Sequence, residues 1–372
     1  MSDLVRYDRN LPYNQLPELP PIDQKVLTIK VLLALNKANK ALAELKGLAR
    51  KLPNQSMLVN TIALREAKTS TEIENIFTTD DELYKALHIE SSEVKGNAKE
   101  VLFYRDALWT GFKEIKEKGE FNTKSVIKIY QEIKQANDSI RPTQTETVIK
   151  KMGSGLLNSS VIYTPPRGVH VINQKLDNLF AYINDDKKFD YDPLIKLAVS
   201  HYQFEAIHPF RDGNGRSGRI LNILLLIQKG LLDLPILYLS AYIIKNKEDY
   251  YELLNAVTTR QKWEEWIIYI LKAIEETSLY TINKIMEIDR LFENTLSLIS
   301  EKIPKLRKET VEKIFEQPYI SPKSIMGQDI KSLNTAKKYL LEMQKLGIMS
   351  STKIGKETVY LNVDLFNILS ES

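Results

Sequence analysis

The stretch from His208 to Arg219 reads His-Pro-Phe-Arg-Asp-Gly-Asn-Gly-Arg-Ser-Gly-Arg, and it constrains the fold more than any other part of the chain. Apolar residues recur at helical spacing before it, over residues 194–207, and again after it, over residues 220–229. The glycines are therefore predicted to form a short turn between two helices. A core built around such a turn is expected to be almost wholly helical.

The turn itself has the features of an anion site. Gly213 and Gly215 let backbone N–H groups approach an anion closely, and the second helix points its positive end towards it. Arg216 and Arg219 lie on one face of the first turn of that helix, where guanidinium groups can bind phosphate oxygens bidentately. Cations at a helix N-terminus oppose its dipole, and a bound anion explains their presence. The turn is predicted to bind a polyphosphate.

Two further side chains add chemistry to the predicted anion site. Asp212 can hold a hard divalent cation shared with the phosphates, which is how Mg²⁺ is usually bound in nucleotide sites. His208 can take a proton near neutral pH. Each feature alone more often has a structural explanation, because Gly-Asn-Gly turns and histidines before proline are common. Their conjunction favours a nucleotide site with a metal ligand and a base.

The twelve residues fit the pattern His-x-Phe-x-Asp/Glu-Gly-Asn-Gly-Arg-x-x-Arg throughout, and here the chain resembles the Fic family of adenylyltransferases. The resemblance implies that His208 deprotonates a target hydroxyl and that Asp212 is the Mg²⁺ ligand. It implies that Phe210 anchors the loop in the core and that Arg219 holds the terminal phosphate of ATP. The nucleotide-binding residues in this stretch would be Phe210, Arg211, Asp212, Gly213, Asn214, Gly215, Arg216 and Arg219.

The implied reaction is an in-line attack of a protein Ser, Thr or Tyr hydroxyl on the α-phosphorus of ATP, with pyrophosphate leaving. Positioning and electrostatics supply most of the rate in such reactions. One branch of the family has lysine at the position of Gly215, binds ATP in the reverse direction and transfers a phosphate. Gly215 argues against that branch. We therefore expect AMP transfer to target proteins, the chain itself included.

A second pattern lies far from the first. Residues 70–75 read Ser-Thr-Glu-Ile-Glu-Asn and fit Ser/Thr-x-x-x-Glu-Gly/Asn, which resembles the inhibitory motif of self-inhibited Fic proteins. By that resemblance Glu74 reaches Arg219 and takes the place of the γ-phosphate contact, so that ATP binds unproductively until the helix moves. A short degenerate pattern alone more often marks a solvated helix end. Because the main motif is also present in this chain, we expect an inhibitory element formed by Ser70, Glu74 and Asn75.

Two more segments are expected near the site. Residues 158–171 are β-branched, with Pro-Pro and Gly punctuation, which predicts a hairpin. In the family a hairpin flap docks the target as an added strand, although a surface loop over the core explains such a short run equally well. The edge of the flap would be formed by Val161, Ile162 and Tyr163. Tyr250 and Tyr251 resemble the family segment that lines the adenine pocket, although paired tyrosines at a helix start more often pack than bind.

Composition excludes several classes of protein. The 372 residues imply more than one domain, and 43% hydrophobic residues suffice for real cores. The absence of cysteine excludes disulfides, zinc-thiolate sites and a cysteine nucleophile. The N-terminal residues contain no basic, apolar signal segment, and the apolar stretch 220–244 is interrupted by Lys229, Asp233 and Pro235. We expect a cytoplasmic protein without a membrane partner.

The chain is predicted to have three parts. Residues 1–100 form a helical region with the inhibitory motif, including helices over 25–49 and about 58–76. Residues 101–285 form the catalytic core. Residues 286–372 form the final part, in which a basic, proline-containing run around residues 302–308 marks a boundary.

The final part is expected to contain three short helices followed by a β-hairpin that turns at Gly355. The helices are predicted over residues 310–315, 321–330 and 334–346. This order resembles a winged helix-turn-helix domain, with residues 332–336 at the start of the recognition helix and residues 353–356 as the wing.

Winged helices commonly contact DNA, but they also serve as dimer or protein contacts. The last 72 residues have only a small excess of basic over acidic side chains, which does not predict strong phosphate-driven binding. Two functions therefore stay open. One is a self-inhibited adenylyltransferase that uses Mg²⁺ and ATP to modify protein hydroxyls, for which assembly as a homodimer stays open. The other is a DNA-binding transcriptional regulator whose Fic core senses nucleotide.

Overall fold

The computed structural model describes residues 7–51, 55–87, 94, 96–151, 160–354 and 357–370. The helices are α1 (Asp23–Val26), α2 (Ile29–Lys51), α3 (Gln55–Ile73), α4 (Asp80–Ala86), α5 (Asn97–Lys118), α6 (Thr123–Lys134), α7 (Val169–Asn184), α8 (Pro193–Ile207), α9 (Asn214–Gln228), α10 (Leu239–Lys245), α11 (Lys247–Arg260), α12 (Trp263–Lys302), α13 (Lys308–Lys313), α14 (Leu333–Lys345) and α15 (Val363–Ser370). The strands are β1 (Ile149–Lys151), β2 (Ser160–Tyr163), β3 (Tyr319–Ile320), β4 (Met349–Ile354) and β5 (Glu357–Asn362). The all-α prediction is confirmed, because helices dominate and the strands form two small antiparallel sheets. Among the described helices, none has the length and apolarity needed to span a bilayer.

The first long helix begins later than the sequence predicted. Helix α1 ends at Val26, and the side-chain oxygen of Thr28 accepts a hydrogen bond from the backbone N–H of Val31 (3.2 Å). A threonine oxygen that accepts such a bond favours the start of a new helix. The predicted helix over 25–49 is therefore two helices, and the second of them, α2, packs along α12.

Helix α3 ends at Ile73, three residues before the predicted end, and its last turn determines where Glu74 lies. Asn75 has a φ of 63°, in the left-handed region that glycine and asparagine adopt most readily. Lys247 donates to the carbonyl of Ile73 (2.7 Å) and to Asn75 Oδ1 (3.4 Å), which ties this end of α3 to α11. A left-handed residue here explains why the Ser/Thr-x-x-x-Glu-Gly/Asn pattern ends in Gly or Asn.

The centre of the molecule is formed by α8, α9 and α12. Helix α8 is buried on almost every side. The Trp266 indole N–H donates to the carbonyl of Ala198 (2.7 Å), which joins α12 to α8. Helix α12 has 40 residues and is about 60 Å long. It continues past residue 285, and α5 begins before residue 101, so the three proposed parts of the chain share helices.

The flap strand is paired differently from the prediction. Strand β2 pairs antiparallel with the upstream strand β1, with Val161 opposite Lys150. Residues 158 and 159 lie outside the described residues. Gly168, with a φ of 108°, leads directly into helix α7. The hairpin therefore does not extend through 158–171, because the two prolines before Gly168 have no N–H for a strand ladder and the chain turns into a helix.

The C-terminal part differs from the prediction at its second helix. Residues 321–330 form turns instead of a helix, because Pro322 and Gly327 interrupt the apolar pattern and the preceding β3 is held in a sheet by β5. The sheet has the order β3-β5-β4, beside α13 and α14. The predicted turn at Gly355 lies outside the described residues, but Ile354 and Glu357 pair across it. The order of elements is consistent with a winged helix, and that assignment stays a prediction.

Candidate active site

The predicted base lies in a tightly held turn between α8 and α9. His208 follows the last residue of α8 with a φ of 49°, and its backbone N–H donates to Phe204 (3.0 Å). Arg141 is buried and donates from Nε to the His208 carbonyl (2.8 Å). It also donates to the carbonyls of Pro166 and Ile207. Sequence reasoning missed Arg141, because all three acceptors are distant in sequence and nothing local marks it.

Two motif side chains organise the turn from within. Asn214 accepts from the backbone N–H of Phe210 (2.8 Å) and donates to its carbonyl (2.9 Å). The Phe210 ring is fully buried and stacks on Tyr130 with centroids 4.0 Å apart. Both side chains therefore hold the turn in shape, and the backbone N–H of Asn214 lies at the start of α9. Arg211 is exposed and lies outside the cavity described below.

The environment of His208 favours a neutral ring. Burial, and to a smaller extent the charge of the nearby Arg141, lower the pKa of His208 to about 4. The backbone of Glu205 and the charges of Glu74 and Asp212 act in the opposite direction but do not prevail. A neutral imidazole has a free nitrogen that can accept a proton, so the ring is in the form that a general base requires at neutral pH.

The carboxylate of Glu74, the residue after the end of α3, lies beside the N-terminus of α9, where the sequence predicts that an anion binds. Glu74 Oε1 is 2.7 Å from Arg219 Nη2, and Arg219 also donates to Ser70 Oγ (2.7 Å) and to the Ser70 carbonyl (2.8 Å). A Cβ atom on Gly215 would collide with Glu74 Oε1 and lie 2.9 Å from Arg219 Nη1. A side chain at position 215 would therefore displace the Glu74 carboxylate from its present position. The contact joins two residues that the sequence patterns predicted to meet.

Arg219 is almost completely buried, with 1% of its surface exposed. Burial alone lowers the pKa of a guanidinium, but the charge of Glu74 outweighs that effect and the pKa of Arg219 is raised. The arginine is thus a fixed cation inside the molecule, at the first turn of α9. Its charge attracts an anion more strongly than an exposed arginine would, because little water screens it.

The second arginine of the motif and the predicted metal ligand have their own partners. Arg216 Nη1 is 2.7 Å from Glu100 Oε2, and Arg216 Nε is buried without a partner among the described residues. Asp212 Oδ2 is 2.7 Å from Lys134 Nζ and 3.8 Å from Arg216 Nη2. Although desolvation opposes the effect, Lys134 holds the pKa of Asp212 below its usual value. Neither Glu100 nor Lys134 belongs to a recognisable local pattern.

The ligands for a metal are few. Among the described residues there is no group of three or more His, Asp or Glu side chains that could hold a metal ion. Asp212 is a single, largely exposed carboxylate beside the anion end. Mg²⁺ often takes one or two carboxylates and completes its shell with substrate phosphates and water. The site therefore fits a Mg²⁺ ion that is bound together with a nucleotide better than one bound by protein alone.

A cavity of about 240 Å³ opens above these residues. Its floor contains His208, Gly215 and Arg219, and Glu74 reaches into it from α3. Its remaining walls are formed by Ile149, Ile162, Tyr163, Tyr202, Glu205, Ala206, Tyr250, Tyr251, Leu254, Asn255 and Thr258. The cavity thus has a charged end at α9 and an end of aromatic and aliphatic side chains at α11.

The two tyrosines of α11 differ in their surroundings. Tyr250 is buried, and its hydroxyl lies 2.9 Å from His201 Nε2. Tyr251 is 41% exposed and packs edge-on against Tyr250 at 5.1 Å. Both line the cavity, but only Tyr251 presents a largely accessible ring.

The flap contacts the same cavity. Tyr163 is buried, and its hydroxyl donates to the carbonyl of Ala206 (2.7 Å), close to His208 in sequence. Ile162 lines the cavity and Val161 is partly buried. The hydroxyl of Tyr7 donates to the carbonyl of Ile162 (2.9 Å), so the N-terminal segment touches the flap strand. Sequence reasoning did not connect Tyr7 with the flap.

Three family models match the chain. The Fic/DOC family N-terminal model matches residues 32–113, and the Fic/DOC family model matches residues 119–226, which include the turn described above. The chain belongs to the Fic/DOC family. The C-terminal domain model of SoFic-like protein adenylyltransferases matches residues 291–365 of this Fic protein.

Curated relatives match shorter stretches of this Fic protein. Protein adenylyltransferase fic-1 of Caenorhabditis elegans is 26% identical over 115 residues, which is 31% of this chain and 21% of the relative. A probable protein adenylyltransferase of Aquifex aeolicus is 32% identical over 93 residues, which is 25% of this chain and 26% of the relative. The matched region thus spans about a fifth to a quarter of the length of these relatives.

Solved structures share the fold over a larger part of the chain. A Fic family protein from Desulfovibrio desulfuricans G20 has a TM-score of 0.56 and 16% identity, covering 90% of this chain and 96% of its own. The structure of Fic-1 from Caenorhabditis elegans has a TM-score of 0.52 and 20% identity, covering 69% of this chain and 74% of its own. At such identities the likeness concerns the fold.

Proposed function

We propose that this Fic protein transfers AMP from ATP to Ser, Thr or Tyr hydroxyls of proteins, including its own, and that Glu74 restrains the reaction. The observation that carries the proposal is the contact of Glu74 with Arg219 beside Gly215. A buried guanidinium and a helix N-terminus together form a site for an anion. The Glu74 carboxylate fills that site, and the terminal phosphate of ATP has the charge and the acceptor atoms to replace it.

The proposed reaction uses His208 as the base. The ring is neutral at pH 7 because burial and Arg141 lower its pKa to about 4. As the target hydroxyl attacks the α-phosphorus, its proton passes to the imidazole, the bond from the α-phosphorus to the bridging oxygen breaks, and pyrophosphate leaves. The left-handed backbone at His208, held by Arg141, fixes the ring beside the start of α9.

The proposed pose of ATP follows from the two ends of the cavity. The phosphates lie against the N-terminus of α9, where Arg216 and Arg219 turn from their carboxylate partners to phosphate oxygens. The adenine base of ATP lies among the aromatic and aliphatic side chains of α11, where Tyr251 presents an accessible ring. This assigns Tyr250 a supporting position behind Tyr251, because its hydroxyl is already paired with His201.

Asp212 is the residue that would hold Mg²⁺ together with the phosphates. When bound, the ion neutralises charge on the phosphate oxygens and the leaving group. Lys134 pairs with the Asp212 carboxylate (2.7 Å), and it would be released to bind a phosphate oxygen once that carboxylate binds Mg²⁺. The positive charges around the turn are thus available to the nucleotide from several sides.

Restraint by Glu74 follows from competition for Arg219. While Glu74 and Ser70 accept hydrogen bonds from this guanidinium, a terminal phosphate cannot bind it in the same geometry. ATP must then bind with its phosphates displaced, or the end of α3 must move. Lys247 opposes that movement through its bonds to Ile73 and Asn75.

The proposal assigns target docking to β2. A peptide that adds to the edge of this strand would bring its hydroxyl towards His208, because Tyr163 joins β2 to the end of α8. The contact of Tyr7 with Ile162 lies on the same strand. The N-terminal segment must therefore yield or share this strand when a target docks.

A label experiment tests the proposal. The full chain is incubated with Mg²⁺ and with ATP labelled either on the α- or on the γ-phosphate, and label in protein is measured. We expect α-label only, and none in His208→Ala, in which ATP binding persists. Incorporation of γ-label would instead indicate phosphate transfer, and equal incorporation in His208→Ala would remove the histidine from the mechanism.

The alternative of a DNA-binding regulator rests on the C-terminal part. Lys337 and Lys338 are exposed on α14, the helix that corresponds to the recognition helix of a winged domain. ATP-dependent DNA binding by the full chain, unchanged in His208→Ala and without label transfer, would favour this alternative.

A further inference from the structure

The inhibitory end of α3 is tied to the helix that follows it. Residues 75–79 connect Glu74 to Asp80, the first residue of α4. Asp80 Oδ1 also lies 2.9 Å from the Nζ atom of Lys68, which belongs to α3. Both side chains of this ion pair are less than one-fifth exposed, so water screens it less than a surface pair. The start of α4 is therefore tied to α3 through the chain and through an ion pair.

Helix α4 also contacts the C-terminal part of the chain. The hydroxyl of Tyr319, on β3, donates to Asp81 Oδ1 (2.6 Å). The ring of Tyr84 lies 5.9 Å from that of Phe366, on α15, and the Phe366 ring lies 6.3 Å from that of Tyr319. Tyr84 and Tyr319 are buried. These four side chains form the contact between α4 and the C-terminal part that is called the α4 contact below.

The C-terminal side of the α4 contact is a single packed unit. Strand β3 pairs with β5, with Tyr319 opposite Leu361, and α15 begins directly after β5. The sheet thus fixes Tyr319 and Phe366 relative to each other. Helix α15 packs on α12, and α4 packs on α5. Helix α4 is therefore held between the helical core and the C-terminal part.

We propose that the C-terminal part holds Glu74 on Arg219 through the α4 contact and so restrains AMP transfer. The restraint of transfer rests on the proposed function, whereas the hold on Glu74 does not. Departure of Glu74 from Arg219 moves the end of α3, which pulls on α4 through residues 75–79 and through Lys68. Because movement of α4 disturbs the α4 contact, this contact adds to the free energy needed for release. By linkage, a change that weakens the α4 contact favours release of Glu74.

Two substitutions weaken the α4 contact from the C-terminal side. Tyr319→Phe keeps the ring and removes the hydroxyl that donates to Asp81, and Phe366→Ala removes the ring that packs on Tyr84. We expect the initial rate of α-label incorporation to rise about threefold to tenfold in each variant. Tyr360 is a buried tyrosine of the neighbouring strand β5. Tyr360→Phe is the matched control and should leave the rate unchanged.

The same substitutions on the Glu74→Gly background separate restraint from general stability. Without the Glu74 carboxylate, the α4 contact has nothing to hold on Arg219. We therefore expect Tyr319→Phe to change the rate by less than about twofold on this background, because the two residues act on the same step. A variant that acted by loosening the fold would change the rate on both backgrounds.

Hydrogen exchange observes the hold on Glu74 without label transfer. The backbone N–H groups of Glu74 and Asn75 donate to the carbonyls of Thr71 (3.1 Å) and Glu72 (2.9 Å) at the end of α3. In both variants of the α4 contact, the peptide that contains these N–H groups should exchange at least about threefold faster than in the unmodified chain. Peptides from α8 and α9 should keep their exchange rates.

Two results would overturn the inference. One is unchanged exchange at the end of α3 in both variants, and the other is an equal rise in the rate of transfer on the Glu74→Gly background. Faster exchange in chains that transfer no label, Glu74→Gly included, would support the hold on Glu74 and overturn the proposed function. If Phe366→Ala does not fold by circular dichroism, Tyr319→Phe decides.

Discussion

Glu74 and Arg219 are 145 residues apart in the sequence, and in the structure the carboxylate lies 2.7 Å from the guanidinium at the first turn of α9. Arg219 is buried, whereas Glu74 is one-third exposed. The arginine is therefore the fixed member of the pair and the glutamate the one that can leave. Glu74 directly follows the last residue of α3, so its release would move the end of this helix.

Lys247 holds the end of α3. Replacement of this lysine should weaken the restraint that Glu74 places on AMP transfer. Lys247→Met loses the hydrogen bonds to Ile73 and Asn75. The position in which Glu74 contacts Arg219 would lose about 1 kcal/mol of stabilisation, and we therefore expect the rate of AMP transfer to rise about fivefold. The measurement is the initial rate of α-label incorporation, with the exposed Lys272→Met as control. An unchanged rate would mean that Lys247 does not hold Glu74 in place.

The neutral state of His208 can be observed directly. The chain has four histidines, and the imidazole signal that disappears in His208→Gln identifies this one in an NMR titration. Because burial and Arg141 lower the pKa of His208 to about 4, the signal should shift only as the pH falls towards that value. A midpoint near 6.5 would mean that the ring is half protonated close to neutral pH and that the site is more hydrated than the structure indicates.

Arg141 should support both the fold and the reaction. In Arg141→Met the carbonyls of Pro166, Ile207 and His208 lose their donor inside the molecule. We expect the free energy of unfolding to fall by about 2–4 kcal/mol and AMP transfer to fall more than tenfold. Urea denaturation and label incorporation measure the two effects. Arg141→Lys keeps a donor and should recover part of both, and full activity in the methionine variant would contradict a positioning role.

A charge cluster far from the cavity should make stability depend on pH. Lys196 is fully buried and pairs with Asp186 (2.6 Å), which also pairs with Lys229 (2.7 Å). Desolvation raises the pKa of Asp186, but the two lysines outweigh it and hold the pKa below its usual value. Because the folded pKa lies below the unfolded value, this stabilisation is present above about pH 4 and is lost as the pH falls through the folded pKa.

The variant Asp186→Asn tests this cluster. It leaves buried Lys196 without its anion, and we expect a loss of about 1–3 kcal/mol at pH 7, since the largely exposed carboxylate is screened by water. The difference from the unmodified chain should shrink when denaturation is measured below pH 4. A constant difference at all pH values would show that the charge of Asp186 is not its source.

The sequence predicted the parts of the site that depend on local chemistry. The turn from His208 to Arg219 and the contact partner Glu74 were predicted from short patterns, and the second of these patterns ends at Asn75, which has a left-handed backbone. Arg141 follows from no such pattern. Its role comes from segments that meet only in three dimensions, and a buried polar residue looks like a surface residue in the sequence.

The errors in the predicted secondary structure have the same origin. Residues 321–330 have an apolar spacing that suits a helix, but Pro322, Gly327 and the sheet that contains β3 prevent it. The break between α1 and α2 depends on the hydroxyl of Thr28, which the pattern of apolar residues does not register. Local capping and distant pairing, rather than hydrophobic periodicity, decide both positions.

The most direct test of the account is the rate of AMP transfer in Glu74→Gly. The full chain, this variant and Glu72→Gly are compared with α-labelled ATP and Mg²⁺ at equal protein concentration. Glu72 lies two residues before Glu74, in the last turn of α3, and pairs with Lys68 (3.7 Å), so it is the matched control. We expect at least tenfold more label in Glu74→Gly and little change in Glu72→Gly. Equal label in Glu74→Gly and in the unmodified chain, with ATP bound in both, would show that Glu74 does not restrain the reaction.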